Sequence, residues 1–241
     1  MYDERTYRQY SKSDDLCQFR VLYGETDLLV ICDSPDLKEK AEKETKEIYM
    51  SLTKYITKHP LFETSFVPIR YDIFAPEIVR NMMKASSKMG VGPMASVAGA
   101  IAEAVGKKLL KFSKQVIIEN GGDIFMKTDI PRKVAVFAGG SPFSEKIALE
   151  IDPDETPIGI CTSSGTVGPS FSFGSADAVV IKSRSCALAD AAATAIGNTI
   201  KKTQDVDAAI EKYGKFKELS GIMAIKGDRM GVIGRINVTK I

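Results

Sequence analysis

Residues 115–127 read QVIIENGGDIFMK, and this stretch decides the fold class. Runs of Val, Ile, Phe and Met flank Asn120-Gly121-Gly122, a centre whose composition suits a tight turn with positive φ. The stretch predicts a β-hairpin. Working upstream, residues 18–32 (FRVLYGETDLLVICD) repeat the pattern around Gly24-Glu25 and predict a second hairpin. Downstream, Lys133–Ala138, Lys146–Ile151, Ile158–Cys161 and residues 177–182 read as strands, and two further short strands bracket Lys226-Gly227-Asp228-Arg229. Between them lie helical patterns. Leu37, Ala41, Ile48 and Leu52 fall near a 3.6-residue period over 36–58, closed by Pro60, and Pro76 opens a helix through about Lys88. Residues 64–74 look extended. Two more helices, about Pro93–Lys111 and Cys186–Lys202, are unusually rich in Ala and Gly. Strands and helices mix without a regular βαβ alternation, and several connections are short enough for hairpins. The expectation is an α+β fold with mixed, mostly antiparallel sheets packed against Ala/Gly-rich helices. With no linker in view, residues 1–241 read as one domain, or as two closely packed lobes at about 1–88 and 89–241.

Bulk properties exclude several function classes. A net charge of +2, with dispersed basic residues, gives no electrostatic footprint for nucleic acid. The polar start MYDERTYRQY is not a signal peptide, and no apolar run reaches the length of a membrane span. Cys17, Cys32, Cys161 and Cys186 form no CxxC and no zinc spacing, so a reduced, cytoplasmic setting is expected. His59 is the single histidine, and it stands before Pro60 at the end of a helical pattern, where a capping or surface role is expected. Mechanisms that need a histidine base or a Ser-His-Asp triad would have to rest on that residue.

Three segments carry groups that suit a ligand site. In the first, Glu119 to Asp123, Gly121 and Gly122 allow close approach to backbone amides, with Asn120 and Asp123 beside them. A plain hairpin turn explains it equally well. The second, Cys161-Thr162-Ser163-Ser164-Gly165-Thr166-Val167-Gly168, combines hydroxyls and glycines that can line a polar pocket or wrap a phosphate, with Phe171 and Phe173 to anchor it. The third is Ala189 to Ala195. Asp190 and Thr194 stand four apart on one helix face and offer oxygens of the kind Mg²⁺ takes. Asp190 could instead only complement the helix dipole.

In this order the segments resemble the ApbE-like family, whose best-known members are Mg²⁺-dependent FAD:protein FMN transferases. The turn corresponds to Asn120-Gly121-Gly122-Asp123, the Thr-Ser-Gly segment to Thr162-Ser163-Ser164-Gly165, and the A-D-A-x-A-T-A helix to Ala189 through Ala195. The resemblance implies a small-molecule ligand, FAD or FMN, with Mg²⁺ held by Asp190 and Thr194. It implies ligand contacts from Asn120, Gly121, Gly122, Asp123, Thr162, Ser163, Ser164 and Gly165. Two motifs depart from the family pattern. The helix Val91 to Ala100 lacks the family lysine, and Gly168-Pro169-Ser170-Phe171-Ser172-Phe173-Gly174 replaces an H-I-I-D-P segment.

Three functions stay open on the sequence. One is Mg²⁺-assisted transfer or hydrolysis of a phosphorylated ligand, with Asp123 or Glu119 as acid/base candidate. A second is cysteine chemistry, a persulfide or thioester enzyme of sulfur-amino-acid metabolism using Cys161 as a partly exposed thiol. The third is a non-catalytic ligand-binding regulator. The smooth helices 93–111 and 186–202 also suggest a homo-oligomer interface.

Overall fold

The computed structural model describes Arg8, Ser13 and residues 15–165 and 173–241. Thr166, Val167, Gly168 and Phe171 of the hydroxyl-rich segment lie outside the described residues. The hairpin expected at 115–127 forms as β3 (Val116–Asn120) and β4 (Asp123–Lys127). Gly121 and Gly122 turn the chain at φ 64° and 98°, a region that side chains beyond glycine disfavour. The upstream hairpin is β1 (Cys17–Tyr23) and β2 (Thr26–Cys32). With β7 (Ile158–Ser163), β8 (Ala178–Ser183), β9 (Leu219–Lys226) and β10 (Arg229–Gly234), these strands make an eight-stranded sheet in the order β1-β2-β3-β4-β7-β8-β9-β10. Every neighbouring pair in it is antiparallel. A second, three-stranded antiparallel sheet runs β11-β6-β5, from β5 (Arg132–Ala135), β6 (Ile147–Ile151) and β11 (Asn237–Lys240). The expected α+β class with largely antiparallel sheets is what the chain adopts.

The large sheet is buried on both faces, which explains why its central strands read as unbroken apolar runs. Along β2, Leu28, Val30 and Cys32 face one core while Leu29 and Ile31 face the other. In β8, Val179 and Ile181 oppose Ala178 and Val180 in the same way, as the two-residue strand period requires. The first core is closed by α1 (Lys38–Lys58), α2 (Leu61–Thr64), α3 (Glu77–Met89), α4 (Val97–Leu109), α5 (Cys186–Gly197) and α6 (Asp205–Tyr213). The small sheet closes the second, with Ile147, Leu149 and Ile151 of β6 at its centre. Strand β2, from the first 88 residues, pairs directly with β3 from the rest, and β1 pairs with β2 at the sheet edge.

Several expectations are corrected. Residues 64–74, expected to be extended, begin at the end of α2 and are otherwise irregular, with no strand among them. The last helix of the Ala-rich pair stops at Gly197 rather than near 202. Beyond it, Asp205 Oδ2 accepts from the amides of Lys201 and Lys202 and fixes the lead-in to α6. The smooth helices α4 and α5, which suggested an interface, turn most of their residues into this chain's own core. They are packed inside the chain, and ten of the twelve α5 residues are buried. Among the described residues, no single helix is long and apolar enough to cross a membrane.

Candidate functional site

Helices α4 and α5 cross at Gly99. A Cβ built there would stand 2.6 Å from the Cys186 carbonyl oxygen and 2.9 Å from Asp190 Cβ. The absent side chain lets the Gly99 amide donate to Asp190 Oδ2 at 2.9 Å. One residue earlier, the Ala98 carbonyl accepts from Asn120 Nδ2 at 3.2 Å, which ties the end of β3 to the same crossing. Across the hairpin turn, Asp123 Oδ1 accepts from the Thr162 amide at 3.1 Å and joins β4 to the end of β7. Ser163, the next residue, lies against α5: a Cβ on Gly197 would be 3.6 Å from its Oγ. The three sequence segments, far apart in the chain, therefore meet at one place.

Two carboxyl groups form its floor. Asp123 and Asp190 lie close enough for the Asp190 charge to act on Asp123, and among the described residues neither forms a salt bridge with Lys or Arg. Burial pushes the Asp123 carboxyl well above the usual carboxylate range, and the neighbouring Asp190 pushes it further. Burial likewise raises Asp190, to about 7, against the opposing effect of the Gly99 amide and the Asp123 carboxyl. Two like charges this close and this dry cannot both ionise freely. Asp190 is half-buried, so part of it stays reachable by solvent. Asp190 and Thr194 are the only two α5 positions that are not buried, and Asn198 continues their row just past the helix end.

Other residues hold the floor in place. Glu103 of α4 is buried, and its Oε2 accepts from the Cys186 amide at 2.7 Å, the Ala187 amide at 3.4 Å and Ser185 Oγ at 3.3 Å. It thus satisfies the first amides of α5, which a helix leaves without internal partners. Glu119 steadies the glycine turn: Oε1 accepts from the Gly122 amide at 2.9 Å while Oε2 pairs with Arg8 Nε at 2.5 Å. Arg8 also reaches the fully buried Asp27 at 2.8 Å. The ion pair and amide bond make Glu119 a structural anchor. Neither Arg8 nor the capping role of Glu103 was read from the sequence. For Glu103 a signal existed, a lone acid inside the apolar stretch Val91–Val105.

Cys161 is not the partly exposed thiol the sequence suggested. It is completely buried, and its Sγ donates to the Cys186 carbonyl oxygen at 3.4 Å. Burial, reinforced by nearby acidic groups, pushes the thiol well above its ordinary value, so the reactive thiolate is suppressed. Of the second segment, Thr162, Ser163 and Ser164 remain partly accessible and Gly165 is exposed, with its amide bonded to the Ala176 carbonyl at 2.9 Å. A surface depression of about 490 Å³ bordered by Phe112, Lys114, Lys127 and Pro157 lies at the opposite end of the β3–β4 hairpin, away from the acids.

A family model described as AbpE bacteria matches residues 8–214. The chain belongs to the ApbE-like superfamily. Its relatives include the UPF0280 protein MJ1526 of Methanocaldococcus jannaschii, 40% identical over 222 residues covering 90% of each chain. A UPF0280 protein of Methanococcus vannielii is 37% identical over 92% of each. Among solved structures, the flavinyl transferase ApbE of Pseudomonas stutzeri superposes with a TM-score of 0.59 at 13% identity, over 90% of this chain and 94% of that one. The ApbE protein of Thermotoga maritima gives 0.59 at 12% identity, over 90% and 96%. At such identities the superpositions speak for the ApbE-like fold alone.

Proposed function

We propose that this ApbE-like protein binds a flavin nucleotide or related phosphorylated ligand with Mg²⁺ at the α4–α5 crossing, and transfers or hydrolyses a group of that ligand. The observation that carries this reading is the Asp123–Asp190 pair, Asp123 buried and Asp190 on the half-open row of α5. Two acids held close in a dry site are unfavourable alone and become favourable around a divalent cation. The donor set fits Mg²⁺: carboxylates of Asp190 and Asp123 and the hydroxyl of Thr194, all hard oxygens. Among the described residues no cluster of three or more His, Cys, Asp or Glu is arranged to hold a metal. Mg²⁺ held here would need waters and ligand phosphates to complete its shell. When bound, Mg²⁺ supplies neutralisation of phosphate charge. The chain's own groups do the rest. The Gly121-Gly122 turn and Thr162, Ser163, Ser164 and Gly165 line the ligand's polar end, and Asn120 fixes the turn against Ala98. Asp123, with its raised proton affinity, holds or releases a proton at its carboxyl oxygen. The flavinyl transferase named among the structural neighbours supports flavin as the first ligand to try.

The test is a thermal shift with FAD, with and without Mg²⁺. Both together are expected to raise Tm more than either alone, since ligands that bind only the folded state stabilise it by mass action. Asp190→Ala is expected to remove the Mg²⁺-dependent part. An unchanged response in that variant would defeat the reading.

A further inference from the structure

The chain from α2 to the start of α3 carries large apolar side chains outward. Leu61, Val67, Tyr71, Ile73 and Phe74 are 73%, 62%, 43%, 67% and 94% exposed. Single exposed apolar residues are ordinary, but this concentration within one short segment makes a patch. Both ends of the segment converge on Tyr55 of α1. Its ring meets Phe62 edge-on with centroids 5.5 Å apart, and its hydroxyl donates to Asp72 Oδ2 at 3.1 Å. Phe62 is fully buried, which leaves its neighbour Leu61 facing solvent. Asp72 fixes the second end. Its Oδ1 accepts from the Phe74 amide at 2.9 Å and its carbonyl from the Ala75 amide at 3.3 Å, while its own amide donates to the Met83 sulfur at 3.4 Å. Midway, the segment is seated on Gly92, where a Cβ would lie 1.8 Å from the Ser65 carbonyl oxygen. The apolar side chains are thus presented by a backbone tied down at both ends and in the middle.

A fixed backbone holding apolar side chains in water is preorganised for a partner, because little order is left to impose on binding. Two observations point to a second copy of this chain. The first is area. At ~150–250 Å² for a fully open aromatic side chain, the five residues expose on the order of 600 Å². A standard interface takes about 800 Å² from each partner, which the apolar centre and its rim together reach. The second is charge. Lys58, Glu63, Arg70 and Glu77 border the centre and are exposed, and among the described residues none of them has an ion-pair partner. A rim that carries both signs, neither neutralised within the chain, is self-complementary across a two-fold axis, where one copy's bases can reach the other's acids. An anionic membrane surface would instead favour a rim dominated by bases. We infer that Phe74 and its apolar neighbours form the centre of a two-fold homodimer interface, with Phe74 as its anchor. The inference is independent of the proposed function, since it uses no residue of the acidic site.

Sedimentation equilibrium of the full chain over a micromolar dilution series tests it. The wild type is expected to approach about 53 kDa, twice the 26.3 kDa chain. Phe74→Asp is expected to weaken the dimer about a thousand-fold, since a two-fold interface loses its anchor twice and a central anchor is worth ~30-fold or more each time. Ile73→Asp is expected to weaken it by more than about ten-fold. Both side chains are exposed, so each variant is expected to keep the wild-type circular dichroism. Phe112→Asp, at an exposed aromatic outside the segment, is the comparison and is expected to dimerise as the wild type does. A wild type that stays at the monomer mass throughout the series overturns the inference. If that monomer sediments with phosphatidylserine vesicles and Phe74→Asp does not, the patch belongs to a membrane surface instead. A dimer of unchanged affinity in both Phe74→Asp and Ile73→Asp places the contact elsewhere and overturns the inference equally.

Discussion

The Asp123–Asp190 pair ties a site to a stability. Both carboxyls have folded-state pKa values raised above the ordinary range near 4, Asp190 to about 7, because burial disfavours the charged form. Between those limits the folded chain holds a proton that the unfolded chain has released. Linkage then makes folding less favourable as pH rises through the window, by ~1.4 kcal/mol for each pH unit crossed per proton retained. In EDTA, thermal unfolding followed from pH 4 to pH 8 is expected to show Tm falling relative to Asp190→Asn, which loses the ionisable group at nearly constant shape. At pH 8 the variant is expected to be the more stable protein by a few kcal/mol and to have lost its response to Mg²⁺. A wild-type and variant pair whose curves stay parallel across that range would show that burial does not perturb the acids. This is the pattern of a functional group kept at the expense of stability. The sequence displayed the components, since Asp190 and Thr194 share a helix face by spacing alone. It could not display the pairing of Asp190 with Asp123, because contact between residues 67 positions apart depends on where β4 and α5 cross.

Helix α5 depends on a neighbour for its first turn. Ser185 caps it locally by accepting from the Leu188 amide. The remaining amides at Cys186 and Ala187 are satisfied by Glu103 from α4, which Lys107 holds from one turn along at 2.5 Å. The Glu103 carboxylate thus supplies acceptor atoms and a charge that suits the helix N-terminus. Glu103→Ala is expected to lower stability by about 2 kcal/mol, above the usual loss of an exposed cap because the orphaned amides are buried. Glu103→Gln, which keeps one acceptor oxygen, is expected to lose less. Urea unfolding measures both, and equal stability of all three proteins would show that α5 needs no cap from α4. The same crossing explains the small residues that made both helices conspicuous. Gly99 and its alanine neighbours permit the close approach that the Asp190 bond requires, so the composition reports packing and the site together. Other elements were readable in principle. Val206, Ala209, Ile210 and Tyr213 of α6 are spaced as a buried helical stripe, though two turns give little periodicity to see. β11 offers no such handle: its four residues are exposed or half-buried, and only pairing with β6 defines it.

At the scale of the molecule, the large sheet is the partition between a helical side that carries the site and a small sheet that closes the other core. Hairpin turns and apolar runs made most of the strands legible. Nothing in the sequence says that both faces of the large sheet are covered, since a run such as TDLLVIC reads alike in any buried strand. One ion pair bridges the two sheets on the far side from the acids. Lys182 of β8 is almost wholly buried, and it pairs with Glu155, also largely buried, on the turn that leaves β6. Removing one member of a buried pair strands the other charge without a partner, which costs about 3–5 kcal/mol, whereas replacing both with apolar groups is often neutral. Lys182→Met is therefore expected to lower Tm by roughly 6–20 °C, at ~2–4 °C per kcal/mol for a chain of this size. Adding Glu155→Leu is expected to recover most of the loss. Because this pair lies across the sheet from α4 and α5, the Mg²⁺-dependent rise in Tm is expected to survive in both variants. A double variant no more stable than Lys182→Met would mean that the pair holds the sheets in register rather than merely neutralising each other. Loss of the Mg²⁺ response with the fold intact would mean that the two sides of the partition are coupled.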